Sequence, residues 1–233
     1  MNRESETGGP LAGVRREVAE QPEVCSGTDS GMDVVEALRV LAEVRTDRQV
    51  VISNQMSARL WPALSQHPLD FNYLSSTMGG AIPLGLGLAL ARPDLEVIVL
   101  SGDGSLLMNL GCLVTVVGSG ATNLTVILLD NGIYEVTGGQ RTPGRLAPVN
   151  YSQLALATGF SSVLQLDTLE AWKNRAECCW RLSGPRFFAL RVQPIPAEVP
   201  RVTTTDVRAE LRRLGGVLHN SGVKSCAESQ NVG

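Results

Sequence analysis

The stretch Ser101–Gln140, SGDGSLLMNLGCLVTVVGSGATNLTVILLDNGIYEVTGGQ, decides how this chain is read. It follows an apolar run, Val97–Leu100, and opens with an acidic residue, Asp103, between two glycines. A second apolar run, Leu124–Leu129, ends in Asp130-Asn131-Gly132, and a segment of helical length separates the two. Each run reads as a buried strand that ends in a small turn carrying an oxygen ligand. As parallel neighbours the strands would place both turns on the carboxyl edge of one sheet, where open α/β sheets bind ligands.

Outward from this stretch, strand-length and helix-length patterns alternate. Upstream, Asp33–Val44 carries Val34, Ala37, Leu38 and Leu41 at helical spacing, Val50–Ser53 and Phe71–Leu74 read as short strands, and Gln55–Leu64 as a helix shut off by Pro68. Pro83 suits the first turn of a helix over about 82–91, in which Gly85 and Gly87 each cost up to about 1 kcal/mol. Those glycines imply close approach of another backbone or a cofactor. Glu96–Leu100 is the strand before Asp103. Ser105–Ser119 reads as one helix with Leu110, Leu113, Val114 and Val117 inward. Tyr134–Val149 has no periodicity and reads as a long functional loop. Downstream, Tyr151–Thr158 and Thr168–Leu182 read as helices, and Ser162–Leu166 and Phe187–Val192 as strands. The expectation is an α/β fold: one domain over residues 31–200, a parallel sheet with helices on both faces. Residues 1–30 are expected to be disordered, and 201–233 to hold a polar helix near 204–214 and a flexible tail from Gly215.

The 233 residues suffice for one full core, and 43% hydrophobic content is ordinary for a globular chain. A net charge of −3 offers no basic patch, so nucleic acid is not an expected partner. The longest apolar stretch, Ala81–Ala91, is too short and too rich in Gly and Pro to cross a membrane. The N-terminal MNRESETGGP lacks the apolar run of a signal peptide, and five Cys without CxxC spacing suit a reduced, cytoplasmic chain.

The chemistry follows from the turns. Gly102 and Gly104 let the chain bend sharply at Asp103 and leave room for a bulky ligand. A helix beginning there offers free N–H groups to phosphate. A diphosphate needs a cation to bridge it to a carboxylate, and Mg²⁺ is commonly held by one or two protein oxygens plus phosphate oxygens. Asn131 offers a neutral second oxygen. An isolated Gly-Asp-Gly most often only turns the chain, and Asn-Gly is a common turn. The pair at adjacent strand ends points to a magnesium–diphosphate site.

GDGS, then Leu106–Asp130, then Asn131 resembles the cofactor motif of the thiamine-diphosphate-dependent decarboxylase and acetolactate synthase superfamily. Asp130 stands where that family often has a first Asn. The resemblance implies the thiamine-diphosphate-binding fold. It also implies Mg²⁺ held by Asp103, the side chain of Asn131 and the backbone carbonyl of Ile133, with Gly102, Gly104, Ser105 and Tyr134 around the cofactor. Ser76-Thr77-Met78-Gly79-Gly80-Ala81-Ile82-Pro83 resembles the family's x-x-Met-Gly-x-x-x-Pro loop. It implies Met78 beneath the cofactor, forcing its rings into a V, and backbone bonds from Ser76 and Met78 to the aminopyrimidine. VVISNQMSAR, residues 50–59, is similar to the first strand and its phosphate-side loop but has Asn54-Gln55 where a glycine often stands. The resemblance covers about residues 32–195 and is strongest to the sulfopyruvate decarboxylase small subunit and the matching half of phosphonopyruvate decarboxylase, with GGQRT (138–142) more particular to that subgroup than GDG itself.

Such enzymes also need a Glu to activate the pyrimidine ring, which the family carries in a separate pyrimidine-binding domain. This chain has room for one domain, and its motifs are those of the diphosphate half. No catalytic residue is therefore assigned within it. The resemblance implies a subunit inactive alone, completed by a pyrimidine-domain partner in a hetero-oligomer, that decarboxylates a small 2-oxo acid to an aldehyde. Arg141 and Thr142 are candidates for the substrate's anionic tail. An acetolactate-type carboligase subunit and a non-catalytic regulatory subunit of the same fold stay open. A dinucleotide fold is disfavoured, because Gly85-Leu-Gly87 is followed by Leu90 rather than Gly and does not follow a strand.

Overall fold

Continuous apolar runs, buried on both faces, set the sheet. The computed structural model describes residues 31–228, except Ser75, Ser76, Pro148, Val202 and Thr204. The N-terminal segment 1–30 and residues 229–233 lie outside the described residues. Six parallel strands form one sheet: β1 (Gln49–Asn54), β2 (Asp70–Tyr73), β3 (Glu96–Gly102), β4 (Leu124–Asp130), β7 (Ser162–Leu166) and β8 (Arg186–Arg191), in the order β2-β1-β3-β4-β8-β7. The expected neighbours pair directly, with Leu100 opposite Ile127 and Gly102 opposite Leu129. Along each central strand odd and even residues enter different cores. Val97, Val99, Leu124, Val126 and Leu128 join one, with α3 (Ala81–Ala91), α5 (Cys112–Gly118) and α7 (Tyr151–Thr158). Ile98, Leu100, Ile127 and Leu129 join the other, with α1 (Val34–Val44), α2 (Met56–Leu64) and α8 (Leu169–Ala176). Burial on both faces is why these strands read as continuous apolar runs.

Local chemistry sets the helix starts. The Asp33 carboxylate accepts from the N–H groups of Val35 and Glu36 at 2.8 and 2.9 Å, capping α1. Asn150 caps α7 through the N–H of Gln153, and Gly159, at φ 103°, ends it. In α3 a Cβ on Gly85 would lie 2.3 Å from Cγ2 of Val99, so the close approach is to a core side chain, not to backbone or cofactor. Gly87 faces open space.

Four expectations change. The single helix over 105–119 is two pieces, α4 (Asp103–Leu107) and α5, because Asn109 turns aside to donate from Nδ2 to the Gly79 carbonyl at 3.0 Å. The break resets the phase: Cys112, Leu113 and Val116 are buried, and Val114 is exposed. The long loop contains a small hairpin, β5 (Ile133–Tyr134) with β6 (Gln140–Arg141), and a short helix α6 (Pro143–Leu146). The helix over 168–182 ends at Ala176, and Cys179–Arg181 form a separate 3-10 turn. The terminal helix α9 (Val207–Glu228) continues through Gly215 and Gly216. Leu214 is buried, and Arg92 bonds the Leu218 carbonyl at 2.8 Å, so tertiary anchoring overrides the glycine cost.

The strand order reverses between β1 and β3. Their carboxyl ends, Asn54 and Gly102–Asp103, therefore face the crevice in which open sheets of this kind take ligands.

Candidate functional site

A pocket opens at that crevice. The turns after four strands line it: Gln55 and Met56 after β1, Met78 after β2, Gly104 and Ser105 after β3, and Asn131 with Ile133–Thr137 after β4. Met78, Gly104, Ser105, Asn131, Ile133 and Tyr134, named from the sequence, thus share one wall. Ser76 lies outside the described residues.

Asp103 is 1% exposed and starts α4 directly. Its Oδ2 accepts from the Thr142 hydroxyl at 2.7 Å, while Oδ1 is buried without a hydrogen-bond partner. Burial raises its pKa to about 6, against the bond from Thr142 and the backbone N–H groups of Gly104 and Asp103 that face the carboxylate, with the nearby Asp130 charge adding to the rise. A buried carboxylate oxygen without a partner is costly unless a ligand completes it. Beside it no atom lies within 4 Å of where a Cβ on Gly102 would project. Over Gly104 the Tyr134 ring stands so close that a Cβ there would meet it at 2.4 Å.

Ser105 holds the Met78 loop. Its Oγ accepts from the Gly79 N–H at 2.9 Å and from Asn54 Nδ2 at 3.2 Å, leaving its own hydroxyl proton to donate. Asn54 is buried and thus joins β1 to the Asp103 turn.

The Asn131 amide is also fixed. Its Oδ1 accepts from the Ile133 N–H at 3.1 Å and its Nδ2 donates to Glu135 Oε2 at 2.8 Å. Glu135 Oε1 accepts from the Ile195 N–H at 2.6 Å. Burial raises the Glu135 pKa against these bonds and the charges of Arg201 and Arg59. Asp130 is paired with Arg191 at 2.6 Å and belongs to the sheet end rather than to the pocket.

Thr142 is not at the surface as a tail-binding residue would be: it is fully buried, on Asp103, whereas Arg141 is exposed. Periodicity gave no sign of Glu135, Asn109 or the Thr142 contact. The available signal was Thr142-Pro143, a residue pair suited to a helix start.

The donor set fits a magnesium–diphosphate group. It consists of hard oxygens, one of them a buried and unpartnered carboxylate oxygen. Among the described residues no group of three or more His, Cys, Asp or Glu could hold a metal alone, so phosphate oxygens would complete the coordination.

Residues 52–187 match the family of the thiamine pyrophosphate enzyme, C-terminal TPP binding domain. The chain belongs to this family. As a member of it, it is 34% identical over 169 residues to the sulfopyruvate decarboxylase subunit beta of Methanothermobacter thermautotrophicus, covering 72% of this chain and 86% of that one. It is 34% identical over 177 residues to the phosphonopyruvate decarboxylase of Streptomyces viridochromogenes, covering 75% of this chain but 44% of that one. The benzoylformate decarboxylase of Polynucleobacter necessarius shares the fold, with a TM-score of 0.58 and 20% identity over 69% of this chain and 33% of its own. This thiamine-pyrophosphate-family chain thus spans less than half of two of these three relatives.

Proposed function

We propose that this chain is the diphosphate- and magnesium-holding subunit of a thiamine-diphosphate-dependent decarboxylase acting on a small 2-oxo acid of the sulfopyruvate or phosphonopyruvate kind. The observation that carries the reading is the buried, unpartnered Oδ1 of Asp103 at the crevice between β1 and β3. Asp103, the Asn131 side chain and the Ile133 carbonyl hold Mg²⁺. Gly102 leaves space for the diphosphate, Gly104 and the Ser105 hydroxyl contact it, and Tyr134 closes over it. Met78, which lines the pocket, supports the middle of the cofactor, and its backbone bonds the aminopyrimidine. Thiamine diphosphate, when bound, supplies the electron sink that lets CO₂ leave a 2-oxo acid.

The group that activates the pyrimidine ring comes from a partner. Glu135 is the carboxylate among the residues lining the pocket, but both its oxygens are engaged, by Asn131 and by the Ile195 N–H. The relative named subunit beta supports a two-chain enzyme. The proposed partner is a pyrimidine-domain subunit. Mixing the purified chains with sulfopyruvate or phosphonopyruvate, Mg²⁺ and thiamine diphosphate tests this: turnover is expected from the mixture and none from this chain. Turnover by this chain alone would overturn the partner, and an acyloin product would replace decarboxylation to an aldehyde with carboligation.

A further inference from the structure

Thr142 occupies the N-cap position of α6, with Pro143 behind it in the first helical turn. There a Thr hydroxyl ordinarily accepts from the helix N–H groups. Here it makes no such cap. The hydroxyl instead donates to Asp103 Oδ2 at 2.7 Å, and the residue is fully buried. Its backbone N–H donates to the Gly132 carbonyl at 2.9 Å. Gly132, at φ 70°, is the residue after Asn131 and is packed under the Arg145 side chain. One residue therefore hydrogen-bonds both the turn after β3 and the turn after β4, which the Tyr134 ring over Gly104 also brings into contact.

Two consequences follow from this geometry. A carboxylate on a buried turn has a rotatable plane, and one donor on Oδ2 fixes which oxygen is left for a cation. The segment 132–142 returns to its own start at Gly132, so the hairpin β5–β6 becomes a closed strap whose far end sits on Asp103. The other end is held by Glu135 on Asn131 Nδ2. We infer that Thr142 is a positioning residue for the metal: its hydroxyl orients Asp103 so that Oδ1 faces the cation, and its backbone locks the strap that carries Ile133 and follows directly on Asn131. This rests on the magnesium–diphosphate reading of the site.

The test uses the whole chain and Mn²⁺ as a paramagnetic probe, with thiamine diphosphate present. Free Mn²⁺ is followed by electron paramagnetic resonance, well below the melting temperature of every variant. Thr142→Ser keeps the hydroxyl; Thr142→Val keeps the shape and removes it. Wild type and Thr142→Ser are expected to take up Mn²⁺ alike, with Thr142→Val weaker by about 10-fold or more, the usual loss when a residue that orients a metal ligand is removed. In the metal-free chain, trypsin is expected to cut after Arg141 faster in Thr142→Val than in wild type or Thr142→Ser. Equal Mn²⁺ affinity in Thr142→Val, or a Thr142→Ser as weak as Thr142→Val, overturns the positioning role; unchanged cleavage in Thr142→Val overturns the strap. No uptake by wild type overturns the site reading itself and takes the inference with it, and the wild-type curve alone identifies that failure.

Discussion

Two buried carboxylates sit on this sheet, and their surroundings are opposites. Asp70 begins β2, 7% exposed, with both oxygens occupied. Arg45 bonds Oδ1, and Oδ2 accepts from the Ser65 hydroxyl at 2.6 Å and the His67 N–H at 3.0 Å. Asp103 begins α4 directly after β3, 1% exposed, with one hydroxyl on Oδ2, no hydrogen-bond partner on Oδ1 and no cation paired with it among the described salt bridges. A carboxylate that serves the fold brings its own counter-charge from the chain. One that serves a ligand is oriented and left incomplete.

The comparison breaks first at Arg45. Arg45→Ala strands the Asp70 carboxylate and should destabilise the chain by about 3–5 kcal/mol in urea denaturation. A loss under about 1 kcal/mol would mean that the pairing matters no more than an exposed one. At Asp103 the sign differs. The folded carboxyl titrates near 6 against 3.8 in the unfolded chain, so between those values the folded state holds the extra proton. The stability this carboxyl contributes is complete below pH 3.8 and is lost as pH rises through about 6. That loss is about 3 kcal/mol for a shift of about two pK units. Subtracting the pH–stability curve of Asp103→Asn from that of wild type should expose it, and saturating Mg²⁺ with thiamine diphosphate should remove it.

How much of this was legible beforehand follows from the range of each interaction. The apolar runs of β3 and β4 and the residues that end them are local patterns, and the parallel pairing of those strands with Asp103 and Asn131 at one edge followed from them, whereas Met78 came from the likeness of its loop to the family's. The break between α4 and α5 was not local: it depends on Asn109 meeting Gly79, 30 positions away in sequence. The same holds for Thr142 on Asp103, 39 positions apart, and for α9, whose passage through Gly215-Gly216 is set by packing. Glycines alone did not reveal which would be filled by core and which left open for ligand.

That last difference supplies smaller tests. Gly85→Ala must displace Val99 and should cost about 1–3 kcal/mol by thermal or chemical melting. Gly102→Ala meets no atom and should lie within about 0.5 kcal/mol of wild type, yet weaken thiamine diphosphate binding. If Gly102→Ala bound the cofactor normally, the open space would not be the diphosphate's. The mildest test concerns thiols. Burial raises Cys112 to about 11 and Cys179 to about 12, while Cys178 is exposed. Brief alkylation of the native chain at pH 8, mapped by mass spectrometry, should therefore label Cys178 and spare the other two.

The central claim is that Asp103 waits for a magnesium–diphosphate group. Isothermal titration of thiamine diphosphate into the chain, with and without Mg²⁺, addresses it most directly. The account predicts binding that requires Mg²⁺ and disappears in Asp103→Ala. Binding without Mg²⁺, or equal binding by Asp103→Ala, would contradict it.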